Sequence, residues 1–326
     1  MKQNHLLFIG ILGFLLFVIA KFVTTEIDSL QYIQMLLVFS YGILIPILLH
    51  ILHLKKNSLF RWITIFHPVA FLFAMVAFLL PQGIYSTVSS FPWLLFTLMV
   101  ALFGLLSFLS DKSYRNIHDI SIHAGLLYIS IGGVWMLLHR TGIQILHFKD
   151  VIVLLTAIHF HYAAVVTPIV FGYMGKDFLK VRPSFEKVYT WLMGFFLVGP
   201  LVIATGITYS YVNPWFEFLA VVEFVLPVIV LSVLFFVYYV PTIRDRAVKH
   251  SYMVTFLSLF ISMAFALLYG LGHIGGFGQH GHHSHEILDI PLMVFVHGFV
   301  NAFGFSLFAL VGLSILKRRQ ETLENK

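Results

Sequence analysis

The chain has 326 residues, 60% of them hydrophobic and 10% charged, with a formal net charge of +6 and a mean hydropathy of +0.94. Soluble domains carry about 25% charged residues, so an ordinary water-soluble fold is excluded. There is no cysteine, which excludes disulfides, thiolate metal sites, iron–sulfur clusters and thiol nucleophiles; any metal must rest on His, carboxylate or neutral oxygen donors.

In chain order, ten apolar stretches approach the roughly 20 residues that a membrane helix needs: 6–20, 33–54, 62–80, 91–109, 120–138, 151–173, 189–209, 216–240, 253–271 and 290–316. Long polar–apolar alternation of the barrel kind is lacking. The expected fold is therefore all-α, a polytopic transmembrane helix bundle forming a single domain over residues 1–326. The first stretch follows Lys2 and resembles a signal peptide in outline. Its small-residue pattern around Ala20 is weak and the next stretch follows closely, which favours a retained helix.

Charge sets the expected orientation. Of the 20 Lys and Arg, only Lys21, Arg140 and Lys149 fall on one side when ten helices alternate. The others occupy the opposite connections or the two termini, and by the positive-inside rule both termini are cytoplasmic. The positive charge thus reads as an orientation signal for a lipid-bilayer protein, with no nucleic-acid partner. Arg140 and Glu217 are expected at the outer interface, and His50, His53, His67 and His118 near the inner one.

The informative polar residues lie deeper. His159-Phe160-His161-Tyr162 interrupts the sixth stretch, about 12–15 Å from its outer start at 1.5 Å per residue. Glu223 sits at similar depth in the eighth stretch, and His297 and Asn301 in the tenth. Ionisable side chains at bilayer depth default to a functional hypothesis. His159, His161, Glu223 and His297 are accordingly the candidates for binding substrate or metal, with His159, His161 and His297 the buried metal candidates. Asn301 and Tyr162 are candidates for supporting contacts. His159 and His161 are two apart, about 200° around a straight helix, so only a break would aim both at one ligand. His297 and Asn301, four apart, share a face, where an amide can fix an imidazole tautomer.

The connection 272–289 is a His- and Gly-rich loop expected on the extracytoplasmic side. Its metal-ligand candidates are His273, His280, His282, His283, His285 and Asp289, by composition. Phosphate-binding loops, dinucleotide fingerprints and nucleophile elbows are missing.

The segments Leu155-Thr156-Ala157-Ile158-His159-Phe160-His161-Tyr162-Ala163 and His297-Gly298-Phe299-Val300-Asn301-Ala302-Phe303-Gly304-Phe305 together resemble the bacterial YndJ-like membrane proteins. The resemblance covers most of the membrane-spanning region, with these two motifs as its specific part. It implies a multi-pass protein of the bacterial plasma membrane and marks His159, His161, His297 and Asn301 as motif positions; it assigns no reaction, although such proteins are sometimes labelled transporters.

The resulting expectation is a histidine-centred site in the outer half or midplane of the membrane, acting on a small or lipid-soluble substrate. Its cofactor would be a transition metal (Zn, Fe, Cu or Mn) or haem. The alternatives are a transporter using the same residues for substrate or protons, and a non-catalytic assembly protein whose histidines are packing groups. The orientation is testable. Cysteines introduced at Ser184 and Ala247 should be labelled by an impermeant maleimide only from the cytoplasm, and one at Ser284 only from outside; labelling of Ser184 and Ser284 from the same face contradicts the topology.

Overall fold

Some apolar stretches form one continuous helix and others are interrupted, several of them near a proline. The computed structural model describes residues 3–52, 58–110, 115–145, 148–274, 286–287 and 290–324. Among these, ten helical stretches are long and apolar enough to cross a membrane, one for each apolar run. The helices are α1 (Gln3–Thr24), α2 (Ser29–Phe39), α3 (Ile45–Leu52), α4 (Ser58–Leu79), α5 (Ile84–Ser110), α6 (Ile117–Thr141), α7 (Asp150–His161), α8 (Val166–Val181), α9 (Glu186–Tyr209), α10 (Trp215–Leu234), α11 (Arg246–Ile274), α12 (Leu292–Phe299) and α13 (Leu307–Glu324). A two-residue strand pair, Glu286–Ile287 with Ile290–Pro291, precedes α12.

Several spans are interrupted. The 151–173 stretch breaks after His161. Pro168 offers no N–H to the Ala164 carbonyl and its ring crowds that carbonyl; Pro68, Pro92, Pro200 and Pro227 are accommodated inside continuous helices, but here the helix breaks. Residues 162–165 form a turn instead, in which the Ala164 N–H reaches His159 O at 3.0 Å and the Val166 N–H reaches Tyr162 O at 2.8 Å. Three other interruptions are π turns: Ser40–Leu44 joining α2 to α3, Phe235–Tyr239 after α10, and Val300–Ser306 joining α12 to α13. The first two each stand two residues ahead of a proline, Pro46 or Pro241. Bonds there run five residues back, from Ile45 N–H to Ser40 O and from Val240 N–H to Phe235 O.

The chain forms two compact units, Met1–Tyr114 with His123–Ile169, and Arg115–Ile122 with Val170–Lys326, so the division runs through α6 and α8. In the first unit α1 meets the π turn backbone to backbone: a Cβ on Gly10 would overlap the Gly42 carbonyl. Such close approach is what small residues permit between membrane helices. The far face of α1 exposes Phe8, Leu12, Leu15, Leu16 and Ile19, a surface suited to lipid.

One end of this unit is closed by buried cations. The Lys21 ammonium donates to Phe78 O at 2.9 Å, and Arg140 donates to Leu80 O at 2.6 Å and to Ser86 Oγ at 3.2 Å. These carbonyls end α4, where they lack helical donors and the helix dipole favours a cation. The Arg140 carbonyl in turn receives the Gly83 N–H and the hydroxyls of Ser86 and Thr87. Gln82 ties the turn to the Asp150 carboxylate. Gly83 (φ 137°) and Gly142 (φ 69°) adopt backbone conformations that side chains disfavour. Arg140 is 3% exposed, so in the last turn of α6 it is a buried tie between helix ends.

In the second unit α9 and α10 approach through Gly206, whose added Cβ would meet Ala220 and the Phe216 carbonyl. Phe235, in the second π turn, touches the rings of Phe171, Phe178, Tyr189 and Phe256 and forms an aromatic centre. Asp245 caps α11 by accepting the Val248 and Ala247 N–H groups and pairs with Arg319 of α13. Those bonds, the Val248 N–H foremost and Arg319 with it, hold its carboxyl below the ordinary aspartate range. The cap is therefore in place at neutral pH and is lost only as pH falls through that lowered value.

Replacing Arg140 by Ala should strip Leu80 O and Ser86 Oγ of a donor, at about 1–3 kcal/mol for each buried group left open. The expected outcome is a clearly lower Tm in detergent than for Lys149→Ala, an exposed neighbour. Equal melting of the two variants contradicts the buried tie.

Candidate functional site

The first histidine centre begins with Pro46. In the π register set by Ile45 N–H on Ser40 O, the next carbonyl, Tyr41 O, would be served by the N–H of residue 46, which proline lacks. His67 of α4 supplies the missing donor: its Nε2 lies 2.9 Å from Tyr41 O. That bond fixes the ring as the Nε2–H tautomer, leaving Nδ1 with a lone pair. His67 is 1% exposed. Counted from Ser58, where α4 begins, His67 lies about 13 Å along the helix, farther than a count from Trp62 gives.

The Tyr41 ring stacks on Trp93 of α5, centroids 3.9 Å apart, and Trp93 donates its indole N–H to His161 Nε2 at 3.2 Å. The other nitrogen of His161, Nδ1, lies 2.8 Å from Ala157 O, so it carries the proton. His161 is thus neutral, completely buried, and bonded at both nitrogens. Its ring fits because Gly132 has no Cβ, which would fall 2.6 Å from the ring atoms. Tyr162, the first turn residue, donates its hydroxyl to Leu36 O at 2.6 Å, tying the break to α2. His159 turns the other way, to an exposed position, with Nδ1 2.6 Å from Leu155 O.

The second centre lies in the second unit. His297 Nδ1 is 3.0 Å from Ser262 O and 3.1 Å from Ser262 Oγ of α11. Asn301, on the third π turn, donates to His297 Nε2 at 3.0 Å and to Ser262 Oγ at 2.6 Å. The amide therefore sets the imidazole as the Nδ1–H tautomer. Glu223 also belongs to this unit. Its Oε2 has no partner among the described residues and lies 3.2 Å from where a Gly199 Cβ would be. Pro227, four residues on, has no N–H for the Glu223 carbonyl.

The structure thus joins His297 to Asn301, and assigns His159 and His161 to one unit and Glu223 and His297 to the other. Among the described residues no three His, Asp or Glu side chains gather as a metal-holding group. His280, His282, His283, His285 and Asp289 lie outside the described residues, as does the side chain of His273. Sequence reasoning missed Tyr41, His67, Trp93 and Ser262. Pro46, immediately after the Ile45 that closes the π turn, was the available signal for the first two; nothing in the sequence marks Trp93 or Ser262 as partners.

The fold and these buried neutral imidazoles define a multi-pass, all-helical membrane protein. The chain belongs to the YndJ-like protein family, whose model matches residues 35–305 and so includes both histidine centres. It is 33% identical over 251 residues to the uncharacterized membrane protein YndJ of Bacillus subtilis (strain 168), covering 76% of this chain and 41% of that protein. The chain therefore spans about two-fifths of the length of this relative. No solved structure matches it.

Proposed function

We propose that the chain is a plasma-membrane protein of bacteria, with both termini cytoplasmic, that takes a small or lipid-soluble molecule at the histidine centre of its first unit. The observation carrying this reading is His161: an imidazole buried inside a candidate membrane span, held neutral by Trp93 and Ala157, at the point where the span breaks. Non-helical backbone at membrane depth is tolerated where protein buries it or where it lines a cavity, and it recurs at binding sites. The surrounding side chains, Tyr41, His67 and Trp93, are uncharged and mostly aromatic, which suits an uncharged partner.

A resident transition metal or haem fits this donor set poorly. A ligand position on His161 would require displacing the Trp93 indole, and one on His297 would require displacing Asn301 or Ser262. The interrupted span also favours a second reading, a transporter in which the same break gates passage of the molecule; transport of a radiolabelled solute by proteoliposomes distinguishes it from binding alone.

Organic extracts of the purified protein, analysed by mass spectrometry, should contain a small lipid-soluble molecule that is retained by the wild type and depleted in His161→Phe. Any metal present should be equal in the wild type, His161→Phe and His297→Phe. Identical extracts, or a 1:1 metal lost on His161→Phe or His297→Phe, contradict the proposal.

A further inference from the structure

We infer that Glu223 is a proton-binding site of the second unit: a carboxyl held as the un-ionised acid inside a membrane span and open to lipid along the seam of α9 and α10. The inference is independent of the small-molecule reading above, which concerns the first unit. Glu223 lies within the candidate span Trp215–Thr242, about 12 Å from its start at 1.5 Å per residue. Ionisable side chains inside membranes recur in proton relays.

The surroundings decide the protonation state. A carboxylate only accepts and needs donors, yet Oε2 is enclosed and meets none among the described residues. It packs where Gly199 of α9 leaves room, 3.2 Å from the place of the absent Cβ. Pro200 follows and has no N–H for the Phe196 carbonyl, so the facing helix is short of a donor at this level. No charged neighbour compensates. On α9, Tyr189 and Tyr209 lie about 15 Å along the helix to either side of Gly199, with Glu186 and Lys187 farther off. α11 reaches this part of α10 at Gly270, beside Phe218 and Val221. There Tyr269 has Glu217 as its charged neighbour, while Arg246, Lys249, His250 and Tyr252 stand toward the other end of α11. Tyr238 and Tyr239 of the π turn are at that far end of α10. An ionised carboxyl here is far costlier than a neutral one, which needs no counter-charge and brings its own donor.

The same side chain is open outward. Glu223 as a whole is half-buried, and Leu219 and Leu226, one turn to either side on its face, are 58% and 59% exposed. Phe195 and Val198 of α9 are exposed across the seam. An apolar margin of this kind within a span suits lipid.

Carbodiimides read both properties, because they add to the un-ionised acid. The proton passes to a carbodiimide nitrogen, the carboxyl oxygen bonds the central carbon, and rearrangement leaves a stable N-acylurea. The full chain in liposomes at pH 7 is treated with dicyclohexylcarbodiimide, which partitions into lipid, or with a water-soluble carbodiimide, and the adduct is mapped by mass spectrometry. Glu223 should carry the adduct from the first reagent and escape the second, and Glu223→Gln should lose it. Infrared difference spectra of the wild type against Glu223→Gln should show loss of the carbonyl stretch of an un-ionised carboxylic acid. Loss of carboxylate bands instead, absence of an adduct at Glu223, or equal labelling by the two reagents overturns the proposal. Should Glu223→Gln fail to fold, the mapping on the wild type decides alone.

Discussion

Proline has no N–H, and inside a membrane the carbonyl it fails to serve cannot turn to water. Each carbonyl left open at bilayer depth must find a donor within the protein. Pro46 creates that demand at Tyr41 O, and His67 meets it across from α4. The result fixes the pairing of two helices, the tautomer of an imidazole, and the seat of Tyr41 against Trp93. Trp93 in turn holds His161, the last residue of α7 before the break that precedes Pro168. The centre is a sequence of hydrogen bonds in which each partner is committed by the one before it.

The other unit uses the same physics with other residues. Its π turn at Val300–Ser306 lies directly after α12, and Asn301 on that turn links His297 to Ser262 of α11. Gly304 brings the turn close to Ser258, where a Cβ would overlap the Ser258 hydroxyl. Close backbone approach and a hydrogen-bonded polar triad together suit a rigid helix pair. The two centres thus differ in character. The His297 group is linked through an amide and a serine, whereas the first centre is linked through an indole and backbone carbonyls, with His67 Nδ1 unpartnered among the described residues.

The spans were legible in the sequence because hydropathy and length respond to one strong requirement, the apolar thickness of the bilayer. The contact between His297 and Asn301 was legible from their four-residue spacing, and the opposite aim of His159 and His161 from their two-residue spacing. Depth along a helix was a weaker guide. It groups Glu223 and His297 with His161 by distance along the helices alone, while the hydrogen bonds join His297 to Asn301 and His161 to Trp93. It placed His67 at an interface because Arg61 reads as a loop charge, although α4 already contains it. The burial of Arg140 was not legible: charge counting treats an outer cation as a loop residue, and its partners are the Leu80 carbonyl and the Ser86 hydroxyl, which no local pattern marks.

The central claim is that the first histidine centre is a set of neutral imidazoles locked by hydrogen bonds in opposite tautomers. Solid-state NMR of histidine-labelled protein in lipid bilayers, with signals assigned by single substitutions, reads this from the ring nitrogen shifts. At pH 7 His67 should carry its proton on Nε2 and His161 on Nδ1, with neither ring charged. A shared tautomer, or a charged ring at either position, would contradict the account.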